Sequence, residues 1–303
     1  MYETILIPTD GSDEAEYAAQ YGLAFAAVSG ATVHVLSVVD ESLYPRTAVL
    51  SDDLIEQGLE EARREASEAV ERIAAMAPEG VDCVTETRKG VPAALVTDYA
   101  DEQGVDLVVM GTHGRTGLRR YIIGSVTEQV VRTADVPVLT VRKPEGATVE
   151  GRPDIDRVLV PTDGSDESMA AVDHAIDIAE RYGATVHGLY VVDQRALSSY
   201  YEAGPLMGDL LETLTEVGED ATEAVRERAE ARGVAAETEV RQGLPASAIR
   251  EYADDNDVDL VVMGTHGRTG VERYLLGSVT ERVVRTSDVP VLTTHTEELG
   301  SEE

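Results

Sequence analysis

The chain has 303 residues, 43% of them apolar, which is enough for a core in each of two ordinary domains. It carries 58 acidic against 25 basic residues, a formal net charge of −33, and its only lysines are Lys89 and Lys143. Such a surface makes free nucleic acid a poor partner, because a phosphate backbone is held by cationic side chains. A single cysteine, Cys83, rules out an intrachain disulfide or a cysteine-based metal site.

In chain order, Ile5-Leu6-Ile7-Pro8 is a short apolar run suited to a strand buried on both faces. Thr9-Asp10-Gly11-Ser12 reads as a turn, with Ser12 or Asp13 capping a helix that runs to about Gly30. Thr32 to Val39, rich in β-branched residues, is the second strand. An irregular stretch from Asp40 to Leu50 leads to a long acidic helix, residues 52 to 77. Val81 to Thr87 reads as the third strand, and Pro92 opens a helix to Glu102. Asp106 to Gly111 is the fourth strand, 112 to 123 a loop, and Gly124 or Ser125 starts a helix to Arg132. Val136 to Val141 is the fifth strand. This strand–helix alternation predicts an α/β fold, a mostly parallel five-stranded sheet with helices on both faces.

The pattern then repeats. Gly111 to Thr140 and Gly264 to Thr293 are nearly the same text, and the same offset of 153 aligns IPTDGSDE at Ile7 with VPTDGSDE at Val160. It also aligns GATVH at Gly30 with GATVH at Gly183. The chain is two copies of one domain: residues 1–143, a linker 144–154 with prolines and glycines, residues 155–296, and an acidic tail 297–303. No apolar run approaches the roughly 18 residues of a membrane helix. Strand-like sequence begins at Tyr2, leaving no room for a leader, so a cytoplasmic location is expected.

In parallel sheets of this kind ligands sit beyond the carboxyl ends of the strands, at the switch point. Pro8-Thr9-Asp10, Val38-Val39-Asp40 and Met110 to Thr127 converge there. Gly111, Gly114 and Gly124 let backbone N–H groups approach an anion, and Gly124-Ser125-Val126-Thr127 lies at a helix start, where free N–H groups favour phosphate. The Ser125 and Thr127 hydroxyls would add donors and Arg115 a charge. Asp10 suits a ribose hydroxyl or a metal ion, as does Asp163 in the second copy. His113 flanks the loop and is weighed between a nucleotide contact and a loop-ordering hydrogen bond. The second copy supplies Pro161, Thr162, Asp163, Val191, Val192, Met263, Gly264, His266, Gly267, Arg268, Gly277, Ser278, Val279 and Thr280. A P-loop, a G-x-G-x-x-G after strand 1, a Ser-His-Asp set and a metal-spaced histidine cluster are all missing from the text.

Gly-x-x-Gly, nine residues, Gly-Ser occurs at Gly111, Gly114, Gly124 and Ser125 and again at Gly264, Gly267, Gly277 and Ser278. With the PTDGS turn after strand 1, this resembles the ATP-binding branch of the universal stress protein family over nearly the whole chain. The resemblance implies two tandem Rossmann-like domains of the adenine nucleotide alpha hydrolase-like type. It implies ribose contact at Asp10 and Asp163, adenine contact by backbone near Val39 and Val192, and phosphates on the glycine-rich loops and their serines. ATP, AMP or ADP, with Mg2+ on the phosphates, is the implied ligand of each copy, in a stress-response binding and sensing module. A slow ATPase or adenylate-using enzyme is the alternative, and a structural scaffold a third reading. Family dimers pair through the last strand, which implies an internal pseudo-dimer through 136–141 and 289–294 and further homodimer formation; the protein partner is not identified.

The copies also differ. Arg119 is replaced by Glu272 near the loop, so copy 1 is expected to retain triphosphate better. His34 and His187 read as core or interface residues; Asp40 and Asp193 read as caps or ligand contacts. The acidic surface is that of a halophilic protein, whose self-repulsion molar salt screens within about 3 Å. Stability should therefore fall when salt is removed; a melting temperature unchanged between about 3 M and 0.1 M KCl would contradict this.

Overall fold

The computed structural model describes residues 2–41, 52–114, 123–144, 146–147, 154–195, 206–265 and 276–295. The chain divides into two compact units, Met1–Pro153 and Asp154–Glu303. The first contains β1 (Thr4–Thr9), α1 (Asp13–Ser29), β2 (Thr32–Val39), α2 (Asp52–Ala75), β3 (Cys83–Lys89), α3 (Pro92–Gln103), β4 (Leu107–Gly111), α4 (Ser125–Thr133) and β5 (Val138–Val141). The second contains β6 (Arg157–Pro161), α5 (Asp166–Tyr182), β7 (Thr185–Asp193), α6 (Leu206–Ala231), β8 (Ala236–Gly243), α7 (Pro245–Asp255), β9 (Leu260–Gly264), α8 (Ser278–Thr286) and β10 (Val291–Thr294).

Within unit 1 the strand order is β3-β2-β1-β4-β5, and every pair is parallel. Within unit 2 it is β8-β7-β6-β9-β10, again all parallel. The order reverses between β1 and β4, and between β6 and β9, which is the switch point. Ile5, Leu6 and Ile7 of β1 have no exposed surface, nor do Leu107, Val108 and Val109 of β4. These central strands are covered on both faces, as the uninterrupted apolar runs require. Helix α1 packs on β1 and β4, α2 on β2 and β3, and α3 on β2 and α4. Among the described residues no helix is long and apolar enough to cross a membrane.

Local signals account for most boundaries. Ser12 holds an extended conformation and its Oγ accepts from the Ala15 N–H at 3.2 Å; Ser165 does the same for Ser168. The third strand lies two residues later than its apolar pattern suggests. Val81 closes a turn onto the Pro78 carbonyl, and the β2 register then carries pairing from Val33–Cys83 to Val39–Lys89. The fifth strand starts at Val138, after Pro137, whose carbonyl accepts from the Val108 N–H.

Two devices recur in both units. Asp106 Oδ2 accepts from the backbone N–H groups of Glu3 and Thr4 at 2.8 and 2.9 Å, tying the start of β1 to the start of β4; Asp259 holds Asp156 and Arg157 at the same distances. On the α3 face, His34 Nδ1 shares a 2.8 Å hydrogen bond with the Tyr99 hydroxyl. The Arg88 guanidinium lies 4.5 Å from the Tyr99 ring centre and bridges Glu86 and Glu102. His187, Tyr252, Arg241, Glu239 and Asp255 reproduce the cluster. It pins the third helix of each unit to the second and third strands by cation–π and charge-assisted contacts.

Burial holds His34 and His187 below the ordinary histidine value of 6.5, against the opposing pull of Glu86 and Glu237. Burial, with Glu239 and Glu237, pushes the Tyr252 phenol up to about 12. The unfolded chain takes up protons at these histidines near pH 6.5 while the folded chain resists them. Their contribution is therefore complete above that value and is lost as pH falls through it toward the folded pKa. Denaturant titrations should show stability declining between about pH 7.5 and 5.5, and declining less in His34→Gln/His187→Gln. Equal slopes would contradict this origin.

Candidate functional site

The site of unit 1 begins where a ladder ends. Strands β1 and β4 pair only at Ile5–Leu107 and Leu6–Val108. The flanking ladders run on, β1–β2 to Thr9–Ser37 and β4–β5 to Gly111–Val141. Pro8, which has no N–H to give a neighbouring strand, stands beyond the last β1–β4 pair. The crevice that opens here is the start of a cavity of about 380 Å3, within the range of small-molecule sites, about 300–1,000 Å3.

One end of the cavity is polar. Thr9 Oγ1 accepts from Gly11 N–H and Asp10 Oδ1 from Ser12 N–H, both at 3.0 Å, so the turn orders the Asp10 carboxylate at the cavity edge. Gly11 has φ of 79°, which explains the glycine at the turn. Gly124 N–H donates to the Thr112 carbonyl at 2.8 Å, pinching the loop closed at its base. Helix α4 then starts with Gly124 as N-cap and no side-chain cap. Its first N–H groups have no acceptor within the helix, and Ser125, Val126 and Thr127 line the cavity. The N-terminal end of the helix dipole adds a positive potential there.

The other end is apolar: Leu36, Val38 and Val39 of β2, Ala62 and Ala66 of α2, Pro92 and Val96 of α3, and Met110. Two glycines are set by close approach. A methyl on Gly111 would stand 3.1 Å from the Glu14 carbonyl oxygen of α1, and one on Gly114 would stand 2.6 Å from Asp10 Oδ2.

The structure thus gathers Pro8, Thr9, Asp10, Val38, Val39, Met110, Gly111, His113, Gly114, Gly124, Ser125, Val126 and Thr127 around one cavity. It changes the part assigned to Thr127. Its buried hydroxyl donates to the Gly111 carbonyl at 2.8 Å, bracing α4 against β4, so its offer to an anion is its backbone N–H rather than its hydroxyl. His113 Nδ1 shares a 2.9 Å hydrogen bond with the Thr112 hydroxyl, which orders the loop. Arg115 and Arg119 lie outside the described residues, as do His266, Gly267, Arg268 and Glu272.

Unit 2 repeats the frame. Strands β6 and β9 pair only at Val158–Leu260 and Leu159–Val261, before Pro161. Thr162 Oγ1 accepts from Gly164 N–H, and Asp163 Oδ1 accepts from both the N–H and the hydroxyl of Ser165. Gly277 caps α8, donating its N–H to Thr265, and Thr280 Oγ1 donates to Gly264. Ser278 and Val279 open that helix, Met263 and Gly264 close β9, and Val191 and Val192 sit near the end of β7. Asp193 accepts from the Arg195 N–H at 2.8 Å, the capping role. Asp40 instead lines the unit 1 cavity. Among the described residues no group of three or more His, Cys, Asp or Glu side chains gathers as a metal site.

Sequence reasoning missed the depth of the cavity. Ser37, Ala62, Ala66, Pro92 and Val96 carry no motif. Two alanines four apart on one helix face, opposite a serine in an apolar strand, are the signal that could have marked them.

A model of the universal stress protein family matches residues 1–142 and 154–295. The universal stress protein MJ0531 of Methanocaldococcus jannaschii is 45% identical over 139 residues, 45% of this chain and 79% of the relative. A universal stress protein of Mycolicibacterium smegmatis is 28% identical over 295 residues, 95% of both chains. Among solved structures, a universal stress protein from Archaeoglobus fulgidus shares the fold with a TM-score of 0.67, at 22% identity and 97% coverage of both chains.

The two crowded glycines should respond differently to a methyl group. Gly111→Ala presses on helix backbone and should cost about 1–3 kcal/mol of stability, measured by urea unfolding in high salt. Gly114→Ala meets only the Asp10 carboxylate, which can turn aside at the expense of its bond to the Ser12 N–H, so its cost should be smaller; a reversed ranking would contradict the geometry.

Proposed function

The chain belongs to the universal stress protein family in both of its units, and on that premise we propose that it binds adenine nucleotides, ATP first among them, as a nucleotide-dependent stress-response module. The observation that carries this reading is one cavity in unit 1 that joins an uncapped helix N-terminus to an apolar pocket across the switch point. In the proposed pose the phosphates lie on the Ser125, Val126 and Thr127 amides, where the backbone offers N–H donors and the helix dipole favours negative charge. The ribose meets Asp10, whose carboxylate only accepts hydrogen bonds. The base enters beside Val38 and Val39, between the alanines of α2 and the start of α3. A Mg2+ ion would be held by the phosphates, with Asp10 as the protein oxygen at hand. Unit 2 carries the same turn at Thr162–Asp163 and the same helix start at Gly277–Ser278, and the same chemistry is proposed for it.

Binding is favoured over turnover because the proposed pose commits Asp10, a carboxylate at the polar end, to the ribose and the metal ion, while Asp40, the other lining carboxylate, follows β2 at the base end. Phosphoryl transfer needs a group free to orient the attacking water.

Protein purified in high salt without added nucleotide should release adenine nucleotide on denaturation, identified by chromatography and mass spectrometry. If it arrives empty it should take up Mg-ATP, which should also raise its melting temperature, since a ligand held only by the folded state stabilises it. An empty protein that neither takes up Mg-ATP nor gains stability from it would overturn the reading.

A further inference from the structure

The two units differ beneath their second strands. At the offset that aligns the copies, Ser37 of β2 corresponds to Tyr190 of β7, and Thr87 of β3 to Val240 of β8. These are cross-strand partners in both units: Ser37 pairs with Thr87, and Tyr190 with Val240. In unit 1 the Ser37 side of the sheet is part of the cavity, facing Ala62 and Ala66 of α2. In unit 2 the same side is filled. Tyr190 is 6% exposed and packs with Val192, Val240, and Leu211, Leu214 and Val217 of α6.

Helix α6 is shaped around this ring. A methyl on Gly218 would stand 2.6 Å from the Tyr190 ring, so the glycine makes the room that the ring occupies. One turn of pleat away, Gly188 replaces Val35 of unit 1, and a methyl there would stand 3.1 Å from Val225 of α6. The bulk missing from the strand at Gly188 lets the helix come close, and the bulk added at Tyr190 is matched by the glycine. Two complementary exchanges on one face show that the closed recess of unit 2 is a packed alternative to the open one.

We propose that the position held by Ser37 and Tyr190 sets the size of ligand each unit accepts. Unit 1 takes an adenine nucleotide enlarged on the base edge that faces β2, and unit 2 takes only the unsubstituted base. This rests on the nucleotide reading given above. In that pose the base reaches the end of β2 beside Val39, and Ser37 lies two residues further in on the same side of the strand. A substituent on the exocyclic N6 would enter the recess of unit 1 and collide with the Tyr190 ring in unit 2.

The test compares Mg-ATP with Mg-N6-benzyl-ATP by calorimetric titration of the full chain in high salt. Two ATP molecules per wild-type chain are expected but only one tight N6-benzyl-ATP, the second site binding it roughly 10- to 100-fold more weakly, the range an overpacked side chain produces. Tyr190→Ser should bring the second site into the tight class, and Ser37→Tyr should remove the first from it while leaving ATP bound. Circular dichroism and melting confirm that each variant is folded; the wild-type stoichiometry decides the matter even if Tyr190→Ser is not. Two equal N6-benzyl-ATP sites, or none beside normal ATP binding, would overturn the size rule and leave the nucleotide reading standing. Failure to bind ATP at all would remove both.

Discussion

Strands β1 and β4 are hydrogen-bonded over two residue pairs and then part, while the ladders to their outer neighbours run on to Thr9–Ser37 and Gly111–Val141. Everything in the unit 1 site follows from that short ladder. It has to hold where it exists, and the Asp106 carboxylate fastens it by taking two N–H groups from the start of β1. It has to stop where it stops, and Pro8 stands beyond its last pair with no N–H to offer. The parted strand ends then aim two turns, Thr9–Ser12 and Gly111–Gly114, into the same space, and the N-terminus of α4 closes it. A parallel sheet creates such an opening wherever its winding reverses; the side chains decide whether it becomes a ligand site.

Those side chains divide the work. Groups that touch the phosphates in the proposed pose are backbone amides in the first turn of α4. Groups with hydroxyls and charges near them are largely committed to holding that backbone: Thr127 to the Gly111 carbonyl, Thr9 to Gly11, Asp10 to Ser12. This accounts for the small hydroxyl residues that recur in both copies, while Gly111 and Gly114 are fixed by their close approach to Glu14 and Asp10. Unit 2 keeps the same commitments at Thr280, Thr162 and Asp163. What differs is the space beneath the second strand, where the packed Tyr190 of unit 2 stands in the place of Ser37.

Much of this was legible in the sequence, because the informative features are local or repeated. Apolar runs marked the central strands, Ser12 and Ser165 marked helix starts, and the repeat located the glycines of the loop twice. The third strand was misplaced by two residues because its last residues, Arg88 and Lys89, are polar; it pairs on one side only, and pairing with β2 rather than burial defines its end. The His–Tyr–Arg clusters and the Asp106 and Asp259 clamps were not legible. Each joins residues roughly a hundred or several tens of positions apart, with no local pattern to reveal the meeting. The depth of the cavity was hidden for a different reason. A recess is made by what is small, and Ser37, Ala62 and Ala66 announce nothing until α2 is laid across β2.

The most direct test of the account is a crystal structure of the full chain grown in high salt with Mg-ATP. The phosphates of the unit 1 nucleotide should lie on the Ser125–Thr127 amides, its ribose at Asp10, and its base beside Val38 and Val39 under α2. A nucleotide seated elsewhere, or one whose base lies on the glycine loop with its phosphates toward α2, would contradict it.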